Sequence, residues 1–522
     1  MINVKKIRLA LGVLLLTALV IGCTKLHETF QGDLSQSQVA SNPSSNSALL
    51  QGVYNSMESP FTFPFDIFPL AELSTDEAII PTRGGDWDDN GVWRAFHEQK
   101  WDADNIHISG CFNDLGGIVY AATDLLRYDT AISDRAQARL IRAWAMYWLL
   151  DFFDQVPYRD PGEDLIQPAR VRKGMDALNY IISEIDTVKS ELPEGPAYVA
   201  NKYAALAILM KCYLNKAVYQ NRATPVFDPA DMDSVISFAD DIINSGYYHF
   251  TGNYFDDFAP DNTNIGKENI FTLLNQPQIT NNNGVFFAWI LVLHYNQGGL
   301  NGAATLPDFY SRFDVADKRR QAIYPTNGSP PNSGNRINLG FLVGQQYDLT
   351  SDAPLTYGTF NAPLSYTAQV QNIETDSNLQ VTGIRPIKYA IDYPNYFSPD
   401  NDFVFLRFAD VLLMKAEAIF RGGTPTAAGI YGNSATAIVN AIRTDPSRGI
   451  SAMSTVNLDS LFDERGRELW WEGWRRQDMI RFGKFLQTFY DKNYISDPHY
   501  LIFPIPSSQL AVNPNLKQNP GY

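Results

Sequence analysis

Three cysteines and six histidines in 522 residues leave little material for disulfide or soft-metal chemistry. Cys23 belongs to a leader-like segment. Cys111 and Cys212 sit in helix-like runs and read as buried free thiols, so neither a disulfide framework nor a cysteine metal site can be built. The histidines form no metal-spaced pair. Positive charge is also short: 41 Lys and Arg stand against 57 Asp and Glu, a formal net charge of −16. That balance argues against nucleic acid and anionic headgroups as partners and leaves neutral ligands as the better fit. Past the N-terminus no apolar run reaches the ~20 residues of a membrane-spanning helix. The motifs Gly-x-Ser-x-Gly and His-Glu-x-x-His are missing, as is a phosphate-binding loop.

What is present begins at the N-terminus. Lys5, Lys6 and Arg8 precede an apolar run over 9–21, too short to span a bilayer and typical of a secretory signal. It closes in Val20-Ile21-Gly22-Cys23, which resembles a bacterial lipobox. Cleavage before Cys23 and acylation of that residue would leave a lipid-anchored protein outside the cytoplasm. Loss of the three basic residues takes the mature charge from −16 to −19. The expected organisation is a signal peptide over 1–22, a lipidated polar tether over 23–47 and one domain over 48–522.

Helical patterns dominate that domain in two blocks, 105–245 and 402–485. In the first, Leu140, Trp144, Trp148 and Phe152 recur every four residues, with Ala145, Leu149 and Phe153 alongside. This predicts a deeply buried helix over 136–154 with Asp134 as N-cap and Pro157 as stop. Further helices are expected over 176–192, 202–219 and 231–243. Ala145, Leu149, Phe152 and Pro157 match the second helix of a tetratricopeptide unit, though no strict 34-residue repeat is visible. The stretch 246–400 is rich in Asn, Gly, Pro, Thr and aromatics, with β-like runs such as 286–293. It reads as ordered, functional loops. The second block is expected to open with a helix over 403–418 and to continue through 435–443 and 458–485.

Three segments of the second half carry a resemblance. Leu406-Arg407-Phe408-Ala409-Asp410-Val411-Leu412-Leu413-Met414-Lys415-Ala416-Glu417-Ala418 resembles the LRYADVLLMYAEA helix of the SusD/RagB family. Glu464-Arg465-Gly466-Arg467-Glu468-Leu469 with Trp471-Glu472-Gly473-Trp474-Arg475 resembles its ERRRELAFEGHR helix. Phe503-Pro504-Ile505-Pro506 and the final Asn513-Pro514-Asn515-Leu516-Lys517-Gln518-Asn519-Pro520-Gly521-Tyr522 resemble its ending. Trp470, Trp471 and Gly466 depart from the usual pattern. The resemblance implies an all-α dominated fold with four degenerate tetratricopeptide-like helix pairs and a loop-rich region with short strands. It also implies an outer-membrane lipoprotein facing the cell exterior. Such proteins act as the hinged lid of a SusC-like TonB-dependent barrel, capturing an oligo- or polysaccharide. A peptide-binding, RagB-like lid is the alternative.

A glycan binder needs aromatic faces for sugar C–H surfaces and planar polar groups for hydroxyls. Burying ~50 Å² on one ring contributes roughly 1 kcal/mol, so several rings are required. The best local constellation runs from Arg83 to Trp93. Trp87 is the expected platform, with Arg83, Asp86 and Asn90 as hydrogen-bonding groups; Trp93 and Trp101 read as core. From the middle region, Trp289 and Tyr295 are further candidates. Arg83 could also accept one uronate or sulfate. Asp86-x-Asp88-x-Asn90-Gly91 mimics the start of a calcium loop, but position twelve is His97 where a glutamate is needed. No cofactor is expected, and a structural calcium is not predictable. Glu464, Glu468 and Glu472 invite comparison with glycoside hydrolases. The interleaved Arg465, Arg467, Arg475 and Arg476 point instead to an ion-pair network, so no catalytic residue is expected.

Overall fold

The computed structural model describes residues 43–277 and 285–522. Cys23 and the signal segment lie outside the described residues. The first described helix, Pro43–Ser56, takes in the last five residues assigned to the tether. No helix among the described residues is long and apolar enough to cross a membrane.

Helix Ile132–Phe153 is the centre of the first block. Two apolar stripes leave it no polar face, and every residue from Leu140 to Phe153 is buried. It packs between helices Ile106–Leu125 and Gly174–Val188. The chain of neighbours continues through Lys202–Gln220 and Pro229–Asn244 to Phe408–Phe420 and Ala435–Thr444. Side-by-side packing of successive helices is compatible with degenerate tetratricopeptide pairs. Cys111 and Cys212 are buried free thiols within this stack.

Several boundaries differ from expectation. The central helix starts at Ile132, which puts Asp134 in its first turn rather than at the cap. It ends at Asp154, which adopts a left-handed conformation (φ 58°), and Pro157 lies beyond it in strand Gln155–Tyr158. The run 286–293 is not a strand: Phe286–Ile290 forms a short helix. An apolar run this short has no periodicity to separate strand from buried helical turn. Phe403–Arg407 is a strand, paired antiparallel with Asn269–Leu273, and the helix begins only at Phe408. The last expected helix is two, Leu458–Leu469 and Arg475–Arg481. Trp471 (φ 57°) and Gly473 (φ 82°) break it between them.

The predicted ion-pair network exists, but its partners come from across the fold. Only Arg467 pairs along the helix, with Glu464 at 2.7 Å. Arg319 and Arg443 also reach Glu464, each at 2.7 Å. Glu468 binds Arg319 (2.8 Å), Arg407 (2.7 Å) and Arg448. Glu472 binds Arg407 (2.8 Å) and Lys388. Arg465, Arg475 and Arg476 turn to Asp478, Asp76 and Asp151. Glu464 and Glu468 are fully buried, Glu472 is half-buried, and all three carboxylates are taken up by these cations.

Buried acids of opposite character give stability a pH optimum. Burial alone would raise Asp76, Glu417 and Glu464, but their arginines outweigh it and hold each at about 2. Their contribution is present above the ordinary carboxylate range near 4 and is lost as pH falls toward 2. Asp66 is pushed up to about 7 by burial and Asp114, and Glu77 to about 8 by burial. These two contribute fully below the ordinary range, and the contribution is lost as pH rises through 7 and 8. The melting temperature is therefore expected to peak near pH 4–5 and to fall by pH 8. A calorimetric series from pH 3 to 8 that rose steadily to pH 8 would contradict this.

Candidate functional site

Residues 78–94 are strapped into the middle of the chain. Ala78–Ile79 pairs antiparallel with Ala304–Thr305, and Thr82–Arg83 pairs parallel with Ile373–Glu374. From this anchored stretch the loop 84–91 projects. Its backbone is held in a rare state: Trp87 (φ 58°), Asp89 (φ 38°) and Asn90 (φ 56°) all take positive φ, with Gly91 following at 81°. For a bulky side chain such as Trp87 this conformation is costly and persists only where surroundings impose it.

The surroundings of Trp87 do so on three sides. Its indole N–H donates to the Leu300 carbonyl at 2.9 Å. Its ring meets Trp93 edge-on, with centroids 5.5 Å apart. Its six-membered ring rests over Gly302, where a Cβ would come within 2.7 Å of it. The result is a half-buried tryptophan fixed in position with part of its surface open to solvent. Trp93, buried beneath, donates its indole N–H to Asp89 at 2.7 Å.

Two candidates from distant parts of the sequence meet here. The Tyr295 hydroxyl donates to Asp86 Oδ2 at 2.8 Å. Burial and this carboxylate push the phenol up to about 12, so it stays a donor at neutral pH. Tyr295 is 40% exposed. Its loop folds tightly, with the His294 carbonyl accepting from Gln297 (2.8 Å) and Gly299 (3.0 Å). Gly299 has no room for a Cβ, which would lie 2.1 Å from the Leu293 oxygen. His294 is held neutral, its pKa lowered to about 4 by burial.

A third piece was not anticipated. Asn296 donates to the Thr356 carbonyl at 2.6 Å, attaching a hairpin of Thr356–Tyr357 and Ala362–Pro363. Half-buried Tyr357 lies 6.2 Å from the His294 ring, and Phe360 at the hairpin tip is 95% exposed. Its place beside the Tyr295 loop, to which Asn296 ties the hairpin, makes it a further candidate ring. The sequence hint is the pair Gly358 and Asn361, both at positive φ, bracketing an aromatic.

Two candidates are corrected. Arg83 is buried and spends its guanidinium on the Asn301 carbonyl (3.1 Å), the Thr382 carbonyl (2.9 Å), the Leu379 carbonyl and the Thr382 hydroxyl. It stitches the loop to 379–382 and does not reach solvent. Trp289 is fully buried against Tyr396, 5.7 Å between rings. It packs the core because its short helix turns it inward. Asn90 is exposed at the loop tip, three residues beyond Trp87. The acids of the calcium-like loop serve different partners: Asp86 takes Tyr295, Asp88 takes Arg94 and Asp89 takes Trp93.

These residues offer partly exposed aromatic rings, exposed carboxylates and amides, and no exposed guanidinium from Arg83. Such a surface suits a neutral polyhydroxylated ligand.

Comparison with known proteins agrees with this architecture. The model of the SusD family matches residues 238–522. The chain is similar to the starch-binding protein SusD of Bacteroides thetaiotaomicron, 25% identical over 503 residues, covering 87% of this chain and 85% of that protein. Among solved structures it is similar to a SusD superfamily protein from Parabacteroides distasonis. That match has a TM-score of 0.69 at 19% identity and covers 94% of this chain and 100% of that one. It is also similar to surface glycan-binding protein A from Bacteroides thetaiotaomicron in complex with laminarihexaose. There the TM-score is 0.62 at 16% identity, over 91% and 99% of the two chains. The structural likenesses show the shared fold, and since the family model spans more than half of the sequence, this chain belongs to the SusD family.

Proposed function

We propose that this protein is a glycan-capturing outer-membrane lipoprotein that holds an oligo- or polysaccharide on the Trp87–Tyr295–Phe360 face. It hands the glycan to a SusC-like TonB-dependent barrel, over which it closes as a hinged lid. It is anchored through Cys23, faces the cell exterior and performs no catalysis. The observation that carries the reading is Trp87, held half-exposed in a left-handed conformation by its bond to Leu300 and its seat on Gly302. The names of two similar proteins support it, one starch-binding and one bound to laminarihexaose. Both ligands are neutral glucans, and the withdrawal of Arg83 removes the group best suited to a uronate or sulfate. Three rings at roughly 1 kcal/mol each, with hydrogen bonds from Asp86 and its neighbours, give micromolar to millimolar affinity, about −4 to −8 kcal/mol.

The test is affinity electrophoresis of the soluble form against neutral, uronate-containing and sulfated polysaccharides. Retardation by a neutral glucan and not by charged polymers is expected. A folded protein retarded by none of them would remove the reading. Within this assay Phe360→Ala, which loses one exposed ring and no buried contact, is expected to weaken binding about 3–5-fold. An unchanged mobility would place the hairpin outside the ligand's reach.

A further inference from the structure

The ion-pair network around Glu464 and Glu468 does not balance. Among the described residues it joins six cations, Arg319, Arg407, Arg443, Arg448, Arg467 and Lys388, to five acids, Asp317, Glu268, Glu464, Glu468 and Glu472. Glu72, Glu77 and Asp257 are buried within electrostatic reach of it but make no ion pair, and burial pushes each above the usual carboxylate range. One cation is left over. A surplus charge in a desolvated cluster is costly unless a counter-ion meets it.

The surplus comes to the surface at Arg443 and Arg467. Among the described residues both have Glu464 as their only acid partner, and both use the same oxygen of it. Arg443 Nη1 and Arg467 Nη2 each lie 2.7 Å from Oε2, while Oε1 takes Arg319 at 2.7 Å. The two guanidiniums therefore stand side by side, sharing one carboxylate oxygen. Nε of Arg443 donates to the Ser451 carbonyl at 3.0 Å, which leaves its Nη2 with no partner among the described residues.

Both arginines are on the wall of a solvent-open cavity of about 430 Å³, with Phe313, Ile450 and Met453 as its apolar surface. The other charged wall groups are Arg312, Asp463 and Asp314. Arg312 pairs with Asp463 at 3.2 Å and Asp76 at 2.7 Å, and Asp76 also pairs with Arg475 at 2.7 Å, so this second set holds two cations and two acids. Asp314 is exposed, accepts from the Ala316 amide at 2.8 Å, and has its charge weakened by water. The wall thus combines paired guanidiniums, whose planar forks match a carboxylate, with acids that accept from hydroxyls.

We propose that this cavity binds a small free hydroxy acid, its carboxylate on Arg443 and Arg467 and its hydroxyls donating to Asp463 and Asp314. The site does not depend on glycan capture at Trp87 and uses none of the residues of that face.

Gluconate and sorbitol share one polyhydroxylated chain and differ at one end, carboxylate against alcohol. In saturation-transfer NMR at low ionic strength, the wild-type protein should bind gluconate saturably and at least 10-fold more tightly than sorbitol. Added sodium chloride should weaken gluconate binding. Arg443→Met should weaken it at least 10-fold while still folding, because the network loses its surplus charge, and should leave glucan retardation in gels unchanged. Trp87→Ala should bind gluconate as wild type does. Absence of saturation, equal binding of gluconate and sorbitol, or gluconate binding unchanged in Arg443→Met would each overturn the proposal. Loss of gluconate binding in Trp87→Ala would put the acid on the glycan face and overturn it too. The wild-type comparison needs no variant to fold.

Discussion

Replacing Glu468 by alanine is expected to cut the accumulation of folded protein at 37 °C sharply. The side chain is fully buried and shared by the guanidiniums of Arg319, Arg407 and Arg448. Those cations outweigh burial and hold its carboxyl well below the ordinary range. Removing one member of a buried ionic cluster leaves the others charged and desolvated, a cost of about 3–5 kcal/mol. Against a typical total of about 5–15 kcal/mol, that is about a fifth of the stability at the least and most of it at the other extreme. Arg319 and Arg407 would keep Glu464 and Glu472, and Arg448 would keep Glu268 at 2.6 Å, so the cluster is weakened without being dissolved. Glu468→Gln, which keeps an acceptor but loses the charge, should fall between wild type and alanine. Soluble yield and urea midpoints of the three proteins would rank them. A midpoint for Glu468→Ala within error of wild type would mean that water enters to solvate the arginines.

The second large effect is expected at the aromatic face. Trp87→Ala should weaken glucan binding about 10–100-fold, or roughly 1.4–2.8 kcal/mol, because it removes the best-fixed ring of the face. Thermal stability should change little, since the ring is only half buried. Gly302→Ala is the sharper test. It leaves Trp87 in place chemically but puts a methyl where the indole lies, 2.7 Å from the ring carbon and 3.0 Å from the Leu291 oxygen. The indole must then lift and lose its bond to Leu300. Weakened binding in Gly302→Ala would show that ring position, and not ring chemistry alone, matters. Isothermal titration with a glucan oligosaccharide reads both variants. Wild-type affinity in Trp87→Ala would exclude the loop from ligand contact.

The helical blocks were legible because burial writes itself as periodicity. Leu140, Trp144, Trp148 and Phe152 declare a buried helix without further information. Its ends were less legible because a left-handed Asp154 can stop a helix as well as a proline can. Phe403–Arg407 misled for a different reason: four apolar residues and an arginine joined to a true helix share its composition, and only pairing with Asn269–Leu273 makes them a strand. At the face, composition pointed to Trp87, Asp86 and Tyr295, and the Tyr295–Asp86 bond joins residues over two hundred positions apart. It could not separate Arg83 from them, because an arginine that binds hydroxyls and one that binds backbone carbonyls have the same sequence. Phe360 was missed since a single aromatic in a long loop carries no pattern.

The face also divides into a part that can drift and a part that cannot. Trp87 depends on a glycine under its ring, a carbonyl from another loop and a backbone state most residues avoid. Changes around it therefore risk the platform itself. The 358–361 turn hangs outside the core, and added residues there close a longer loop at a cost that grows only slowly with length. Ligand preference can be retuned at that turn by insertion or by exchange of Phe360. The same scaffold can thus diversify toward new glycans at its hairpin while the tryptophan seat stays as it is.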